Sequence, residues 1–224
     1  MRAPVSVVIP TLNAEAELGP CLAALGPGLQ AGLLRELVIS DGGSTDGTRA
    51  IAEAAGAIWV AGPPGRGGQL ARGVAAAGGP WLLVLHADTL LSLDWPEAVL
   101  RGMEAGEPGY FRLRFRARGP GAAWVAGWAN LRARAFGLPF GDQGLLVSRA
   151  DYMAAGGYPD IPLMEDMALA RALPRPRPLA ATAETGAARY EAHGWLRQGA
   201  ANLWRQARFL AGADPDRLAR GYRK

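Results

Sequence analysis

The feature that most constrains the fold is an alternation of apolar runs with helix-forming stretches, which occurs four times before residue 90. The apolar runs at 5–9, 37–40, 57–60 and 81–88 have the length of strands, and those at 5–9 and 81–88 are apolar enough to be fully buried. The stretches that follow the first three runs predict helices. This order predicts an α/β fold with a mainly parallel sheet, right-handed crossovers and flanking helices.

Each of these predicted strands leads into a polar or glycine-rich segment. Pro10 and Thr11 follow the first strand, Asp41 the second, the loop 62–68 the third, and Asp88 closes the fourth run. Parallel strands end at the same edge of a sheet, where open α/β sheets bind ligands, so we expect these groups to converge there. Carboxylates at such an edge suggest a hard divalent cation, and Asp88 is the best candidate ligand.

The two histidines each allow two interpretations. His86 precedes Asp88 by two residues, so a hydrogen-bonded role in the core fits as well as metal ligation. His193 is followed by Gly194, which suggests a tight turn; a surface residue and a ligand are both open.

The adjacent acids Glu165 and Asp166 come just after Pro162 and lead into a predicted helix. They could stabilise the helix dipole from its first turn. They could also include a partly desolvated general base with a pKa raised toward neutrality. The segment alone favours the structural interpretation.

Bulk composition excludes several classes of protein. Half of the 224 residues are apolar and a fifth are charged, which is typical of a globular chain. No apolar stretch is long enough to span a bilayer and no signal peptide is apparent, so we expect a cytoplasmic protein. The single cysteine, Cys21, excludes an internal disulfide and predicts a buried structural thiol. Net charge is +4, but no arginine cluster alternates with stacking aromatics, so nucleic-acid binding is not expected.

The second half predicts α+β structure with a C-terminal amphipathic helix. Residues 111–116 alternate apolar and arginine as a half-buried strand does, and 145–148 is a further strand candidate. From Trp195 onward, apolar residues recur on one helical face. This face comprises Leu196, Ala200, Leu203, Ala207 and Leu210. It could pack on the core, pair with a second copy or lie on a membrane; packing is favoured.

Four motifs in order resemble family two glycosyltransferases of the GT-A fold. They are Val-Val-Ile-Pro-Thr-Leu-Asn at 7–13, Asp-Gly-Gly-Ser-Thr-Asp-Gly-Thr at 41–48, His-Ala-Asp-Thr at 86–89 and Glu-Asp at 165–166. Segments 65–69, 141–144 and 159–166 resemble a narrower bacterial subgroup described as associated with arsenosugar biosynthesis.

The resemblance implies a Rossmann-like GT-A domain over 1–190 and a helical extension over 191–224 packed on it. It implies an inverting transfer from a nucleoside-diphosphate sugar of the UDP or GDP type, with Mg²⁺ or Mn²⁺, to an unidentified acceptor hydroxyl. The protein would be cytoplasmic, with peripheral contact at the inner face of the membrane or a homodimer formed through the C-terminal helix.

The resemblance also assigns roles. Asp166 would be the general base, and Glu165 would orient the acceptor near Asp142 and Gln143. Asp88 would bind the metal, with His193 as a further ligand. The nucleotide would contact Pro10, Thr11, Asn13, Asp41, Arg66 and Ala87.

Two departures from the family pattern weaken these assignments. His86 replaces the first acid of the Asp-x-Asp motif, and Gly42 replaces the second acid of the usual Asp-Asp-Gly-Ser. Two alternatives stay open: a nucleotidyltransferase, although 10–13 lacks its glycine- and arginine-rich phosphate loop, and a catalytically weak nucleotide-binding or membrane-peripheral scaffold.

Overall fold

A computed structural model of the chain describes residues 3–220, which form one eight-stranded sheet with helices on both faces. The strands are β1 (Val5–Thr11), β2 (Leu34–Asp41), β3 (Ile58–Ala61), β4 (Trp81–Val84), β5 (Leu90–Leu91), β6 (Gly109–Phe115), β7 (Leu145–Ser148) and β8 (Arg177–Thr185). The helices before β6 are α1 (Glu15–Ala23), α2 (Gly26–Gln30), α3 (Thr48–Ala54), α4 (Arg66–Ala76) and α5 (Trp95–Ala105). The later helices are α6 (Pro120–Phe136), α7 (Arg149–Ala154), α8 (Glu165–Ala172), α9 (Ala188–His193), α10 (Trp195–Leu210) and α11 (Pro215–Arg220), and a 3₁₀ turn spans Gly141–Gln143.

The sheet has the strand order β3-β2-β1-β4-β7-β6-β8-β5. The pairs β3–β2, β2–β1 and β1–β4 are parallel, and so is the pair β6–β8. Strand β7 runs antiparallel to β4 and β6, and β5 runs antiparallel to β8. The prediction of a mixed, mainly parallel sheet flanked by helices is confirmed.

Both faces of the central strands β1 and β4 are buried, which explains their continuous apolar runs, whereas the edge strand β3 is partly exposed. On β1, Val7 and Ile9 pack into one core cluster together with Trp95, whereas Val8 packs into the cluster on the opposite face. Cys21 lies fully buried in the first cluster, and burial raises the pKa of its thiol to about 12. The prediction of a buried structural thiol is therefore confirmed.

The fourth strand is shorter than the sequence indicated. β4 ends at Val84, opposite Leu145 of β7, and Leu85 adds one further bond from its N–H to the Val8 carbonyl. The chain then turns, and the Thr89 N–H donates to the His86 carbonyl. The prediction that the strand reaches Asp88 is wrong, because β7 begins at Leu145, opposite Val84, and offers no partner beyond it, although β1 continues to Thr11. His86, Ala87 and Asp88 lie in the turn that follows.

The C-terminal helix α10 packs through an unexpected face. The predicted apolar face is largely open to solvent: Leu196 is 69% exposed and Leu210 is 47% exposed. The buried positions of α10 are Gly199, which approaches Val125 of α6, and Gln206. The favoured interpretation, that the apolar face packs on the core, is wrong, because α10 turns its small and polar side toward α6.

The extension beyond residue 190 is continuous with what precedes it. Helix α9 spans the predicted boundary at 190/191, and Leu218 of α11 packs against Met164 and Met167 next to α8. The division into 1–190 and 191–224 stays a prediction, and residues 221–224 lie outside the described residues. Among residues 3–220, no helix is both long and apolar enough to cross a bilayer.

Candidate functional site

The ends of β1 and β2 are joined by the carboxylate of Asp41, which is 2% exposed. Its Oδ1 accepts hydrogen bonds from the hydroxyls of Thr11 and Ser44, and its Oδ2 accepts from the N–H groups of Gly43 and Ser44. Burial would raise the pKa of Asp41, but these hydrogen bonds outweigh it and lower the pKa. Asp41 is therefore an ionised anchor for the loop after β2, and both of its oxygens are engaged within the protein.

Asn13 fastens the same loop from the other side. Its N–H donates to Ser44 Oγ at 2.8 Å, and its Oδ1 accepts from the Thr45 N–H at 2.9 Å. Asn13 has a φ of 50°, a left-handed conformation that asparagine tolerates better than most residues. The predicted nucleotide residues Thr11, Asn13 and Asp41 thus meet at one edge of the sheet, and Pro10 pairs there with Ser40.

Gln69 was not predicted to belong to the site, yet it ties three segments of this edge together. It is 5% exposed; its Nε2 donates to the carbonyls of Thr11 and Ser40, and its Oε1 accepts from the Gly65 N–H. The sequence did carry an indication, since Gln69 stands beside the buried Leu70 in the first turns of α4.

Asp88 lies in the turn after β4 and faces the end of β8. Its Oδ2 accepts from Thr185 Oγ1 at 3.0 Å and from the Gly186 N–H at 3.3 Å. A Cβ added to Gly186 would meet Asp88 Oδ2 at 3.2 Å and the Arg116 guanidinium at 3.5 Å, so Arg116 also lies at this point. Arg112 and Arg114 of β6 are exposed, as the half-buried strand pattern predicts, and Arg116, the next arginine along the chain, stands beside the candidate metal ligand.

His193 lies exposed at the end of α9, where its Nδ1 is 2.9 Å from the Arg189 carbonyl. Within residues 3–220, no three His, Cys, Asp or Glu side chains are grouped so that they could hold a metal ion. The donor set thus offers the carboxylate of Asp88 without a ready-made protein cage. This suits Mg²⁺ or Mn²⁺ held largely by substrate phosphates, since such ions often take one or two carboxylates from the protein.

His86 connects the turn after β4 to a second group of predicted residues. Its Nδ1 lies 3.1 Å from Asp142 Oδ1, and its ring packs so closely on Gly141 that a side chain there would collide with it. Burial would raise the pKa of Asp142, but the hydrogen bond and charge of His86, with Arg66 and Arg132, lower it. Of the two interpretations of His86, the geometry favours the hydrogen-bonded one.

Glu165 opens α8 and is 1% exposed. Arg66, at the start of α4, brings its Nε to 3.7 Å from Glu165 Oε1, but neither carboxylate oxygen has a hydrogen bond from any residue in the described range 3–220. Burial, and then the neighbouring charge of Asp166, raise the pKa of Glu165 to about 7. A carboxyl group in this state exchanges its proton near neutral pH, which a purely structural helix-capping acid does not require.

Asp166 is more accessible than Glu165 and is fixed in orientation. Its Oδ2 accepts from the Gly141 N–H at 2.8 Å, so the 3₁₀ turn that carries Asp142 also holds Asp166. Met164, just before α8, has a φ of 70°. Such backbone strain in a non-glycine residue is most often found at functional sites.

These acids line a cleft between α6, α10 and the start of α8, which we call the α6–α10 cleft. The space between its walls, including the part that is open to solvent, is about 940 Å³. Its apolar lining includes Leu113, Trp124, Val125, Trp128, Phe140 and Leu203. Its charged lining consists of Arg66, Arg132, Asp142, Glu165, Asp166 and Arg205.

Two residues in this cleft differ from what the sequence suggested. Gln143 is fully buried; its amide donates to the Phe111 carbonyl and accepts from the Phe140 N–H, so it supports the cleft wall from behind. Arg132 was not predicted at all. It is 8% exposed although it is an arginine, and its place beside Ala129 on the buried stripe of α6 was the available indication.

The strand order, with polar residues at the ends of the parallel strands, defines the fold as the GT-A class. The sequence profile of glycosyl transferase family 2 matches residues 6–136, more than half of the chain. The chain belongs to this family.

Curated relatives match part of the chain. Glucosyl-3-phosphoglycerate synthase of Mycolicibacterium smegmatis is 38% identical over 95 residues, and that of Mycobacterium tuberculosis is 36% identical over 95 residues. The matched stretch is 38% of this chain in both cases, and 31% and 29% of the relatives' length. The names of these relatives do not mention arsenosugar biosynthesis, and that narrower assignment stays a prediction.

Solved structures show the same fold over most of the chain. A crystal structure of the Mycobacterium tuberculosis synthase with Mn²⁺, uridine diphosphate and glucosyl-3-phosphoglycerate superposes with a TM-score of 0.55 at 23% identity. It covers 90% of this chain and 78% of the other. S. aureus TarS, residues 1–349, gives a TM-score of 0.60 at 16% identity, covering 88% and 64%.

Proposed function

We propose that this protein transfers a sugar from a nucleoside-diphosphate sugar to an acceptor hydroxyl, with inversion at the anomeric carbon. The donor would bind at the ends of β1, β2 and β4, and the acceptor in the α6–α10 cleft. One observation carries this proposal: two contacts, Arg66 with Glu165 and His86 with Asp142, join the donor edge to the cleft. A donor and an acceptor bound on either side of these contacts would meet beside Asp166.

On the donor side, Pro10, Thr11 and Asn13 would border the nucleoside, together with Ala87 in the turn after β4. Asp41 would act mainly by fixing the loop 41–48, since its oxygens already accept four hydrogen bonds. The similar synthase was crystallised with uridine diphosphate, which makes a UDP-sugar the first donor to test and a GDP-sugar the second.

Asp88 would hold Mg²⁺ or Mn²⁺ against the diphosphate, as the metals found in the similar synthase suggest. When bound, such an ion neutralises charge that develops on the leaving diphosphate. Arg66 and Arg116 would add positive charge on the protein side. His193 as a further ligand remains part of the proposal, and it would act from an exposed position on α9.

On the acceptor side, Asp166 would take the proton from the attacking hydroxyl. Its orientation is set by two backbone donors, the Gly141 N–H on Oδ2 and the Met167 N–H on Oδ1, and each oxygen keeps a further lone pair that could take the proton. Glu165 would orient the acceptor and influence the charge around Asp166. Asp142 would contact the acceptor, and Gln143 would hold the cleft wall. The similar synthase was crystallised with phosphoglyceric acid, so a hydroxy acid is a reasonable first acceptor to test.

We further propose a cytoplasmic location with peripheral contact to the inner face of the membrane. The exposed apolar side of α10, with Trp204 66% exposed, supports a contact with a bilayer or with a second copy of the chain. Cosedimentation with anionic vesicles that weakens with salt would support the bilayer, and a concentration-dependent dimer would support the second copy.

The direct test is a thermal-shift screen with UDP, GDP and their sugars, with and without Mn²⁺. We expect one nucleotide to stabilise the protein only when metal is present, by about 3 kcal/mol at a ligand concentration of 100 Kd. In the Asp88→Asn variant this metal-dependent stabilisation should be lost, whereas Asp216→Asn, an exposed change on α11, should leave it intact. Absence of any metal-dependent shift with every nucleotide would favour the scaffold alternative.

A further inference from the structure

The α6–α10 cleft contains a buried cationic group that is not fully satisfied. Arg132 donates through Nε to the Leu138 carbonyl and through Nη1 to Gln206 Oε1, and its guanidinium stacks on Phe140 at 3.6 Å from the ring centroid. Its Nη2 is buried, and within residues 3–220 it has no hydrogen-bond partner. Burial lowers the pKa of Arg132 to about 10, so the group still carries its charge at neutral pH.

The acids of the cleft do not supply this missing partner. Asp142 is bonded to His86, Asp166 accepts from the Gly141 N–H, and Glu165 lies against Arg66. A buried charged donor without an acceptor is costly, and a ligand that brings an anionic oxygen would remove that cost.

The wall beside Arg132 has the opposite chemistry. Trp124 and Trp128 follow one another by a single turn of α6, line the cleft and are 55% and 41% exposed. Leu203 faces them from α10. Two half-exposed indoles bordering a cleft form an apolar surface that a ligand would cover.

We propose that the acceptor is an amphipathic acid, whose phosphate or carboxylate binds the guanidinium of Arg132 where this residue lines the cleft and whose apolar part lies on Trp124 and Trp128. This assignment rests on the proposed function, since it places the acceptor in the cleft beside Asp166. It goes beyond a small hydroxy acid, because such a ligand has no apolar part that could cover Trp124 and Trp128.

Tryptophan fluorescence titration with n-alkyl phosphates from ethyl to decyl, with inorganic phosphate and with the matching alcohols, tests the proposal. We expect octyl phosphate to bind at least ~10-fold tighter than octanol, as a charge-assisted hydrogen bond to a buried group predicts. Each methylene that reaches the indoles should add about fourfold. A rise that continues to decyl indicates a lipid acceptor, and a plateau at short chains indicates a soluble acid.

Arg132→Met should remove the preference for the phosphate over the alcohol, whereas Arg101→Met, an exposed change on α5, should not. Trp128→Ala, at a position that is 41% exposed, should flatten the chain-length dependence and tests the proposal even if the Arg132 variant fails to fold. Equal binding of inorganic and octyl phosphate, or parent-like binding by Arg132→Met, would overturn the proposal.

The fate of the two proposals can be separated in the same preparation. If UDP with Mn²⁺ stabilises the protein and no alkyl phosphate binds, the amphipathic acceptor is wrong and the transferase stands. If alkyl phosphates bind and no nucleotide does with any metal, the proposed function fails and the assignment of this ligand as an acceptor fails with it.

Discussion

Replacing Asp166 with asparagine should lower the rate of sugar transfer by roughly 10²–10⁴-fold, the usual contribution of a positioned general base. The amide cannot take the proton of the acceptor hydroxyl, yet it keeps the size of the carboxylate. Release of nucleoside diphosphate from the donor, with water or a candidate acceptor as the attacking group, measures the effect.

Donor binding provides the control for this variant. Asp166 bonds to the Gly141 N–H in the cleft, not to the loops that hold the donor edge, so affinity for the nucleotide and metal should stay close to that of the parent. A variant that turns over at the parental rate would remove Asp166 from the mechanism. Loss of nucleotide binding in parallel with loss of turnover would assign it a structural role instead.

Replacing Glu165 with glutamine should stabilise the protein in a manner that depends on pH. The folded-state pKa of Glu165 is about 7 and its usual value is 4.5, so the folded protein favours the protonated form. The carboxyl therefore costs no stability below its unfolded pKa, and stability falls as pH rises from about 4.5 through 7. Above pH 7 the full cost is on the order of 3 kcal/mol, which an uncharged amide avoids.

Urea unfolding at pH 5 and pH 8 measures this difference. The advantage of Glu165→Gln over the parent should grow by about 2–3 kcal/mol between these values. Glu104→Gln, an exposed change on α5, should show no such growth. An advantage that is the same at both pH values would mean that the buried carboxyl does not titrate near neutrality.

The parallel half of the fold could be predicted because its central strands, β1 and β4, are buried on both faces. The run from Val5 to Ile9 is too apolar for any element other than a central strand. The groups that follow the parallel strands must then share one edge of the sheet. The end of β4 could not be predicted, since it depends on how far Leu145 and its neighbours in β7 extend along the partner. The composition of residues 81–88 does not indicate where the strand ends before Asp88.

The cleft was less accessible to sequence reasoning than the donor edge. Helical periodicity identified an apolar face on α10 but could not show which surface α10 packs against. That surface belongs to α6 and carries Arg132 and Val125. Gln206 satisfies part of that arginine and Gly199 lies against Val125, so the helix packs with these residues inward. Contacts between residues more than 70 positions apart decide this orientation, and no local pattern encodes them.

The most direct test of the donor site is a crystal of the protein soaked with Mn²⁺ and UDP, measured at the manganese absorption edge. We expect an anomalous peak about 2–2.5 Å from an Asp88 carboxylate oxygen, next to the diphosphate and at the ends of β1 and β4. Nucleotide bound with its diphosphate far from Asp88, or a peak at another part of the molecule, would contradict it.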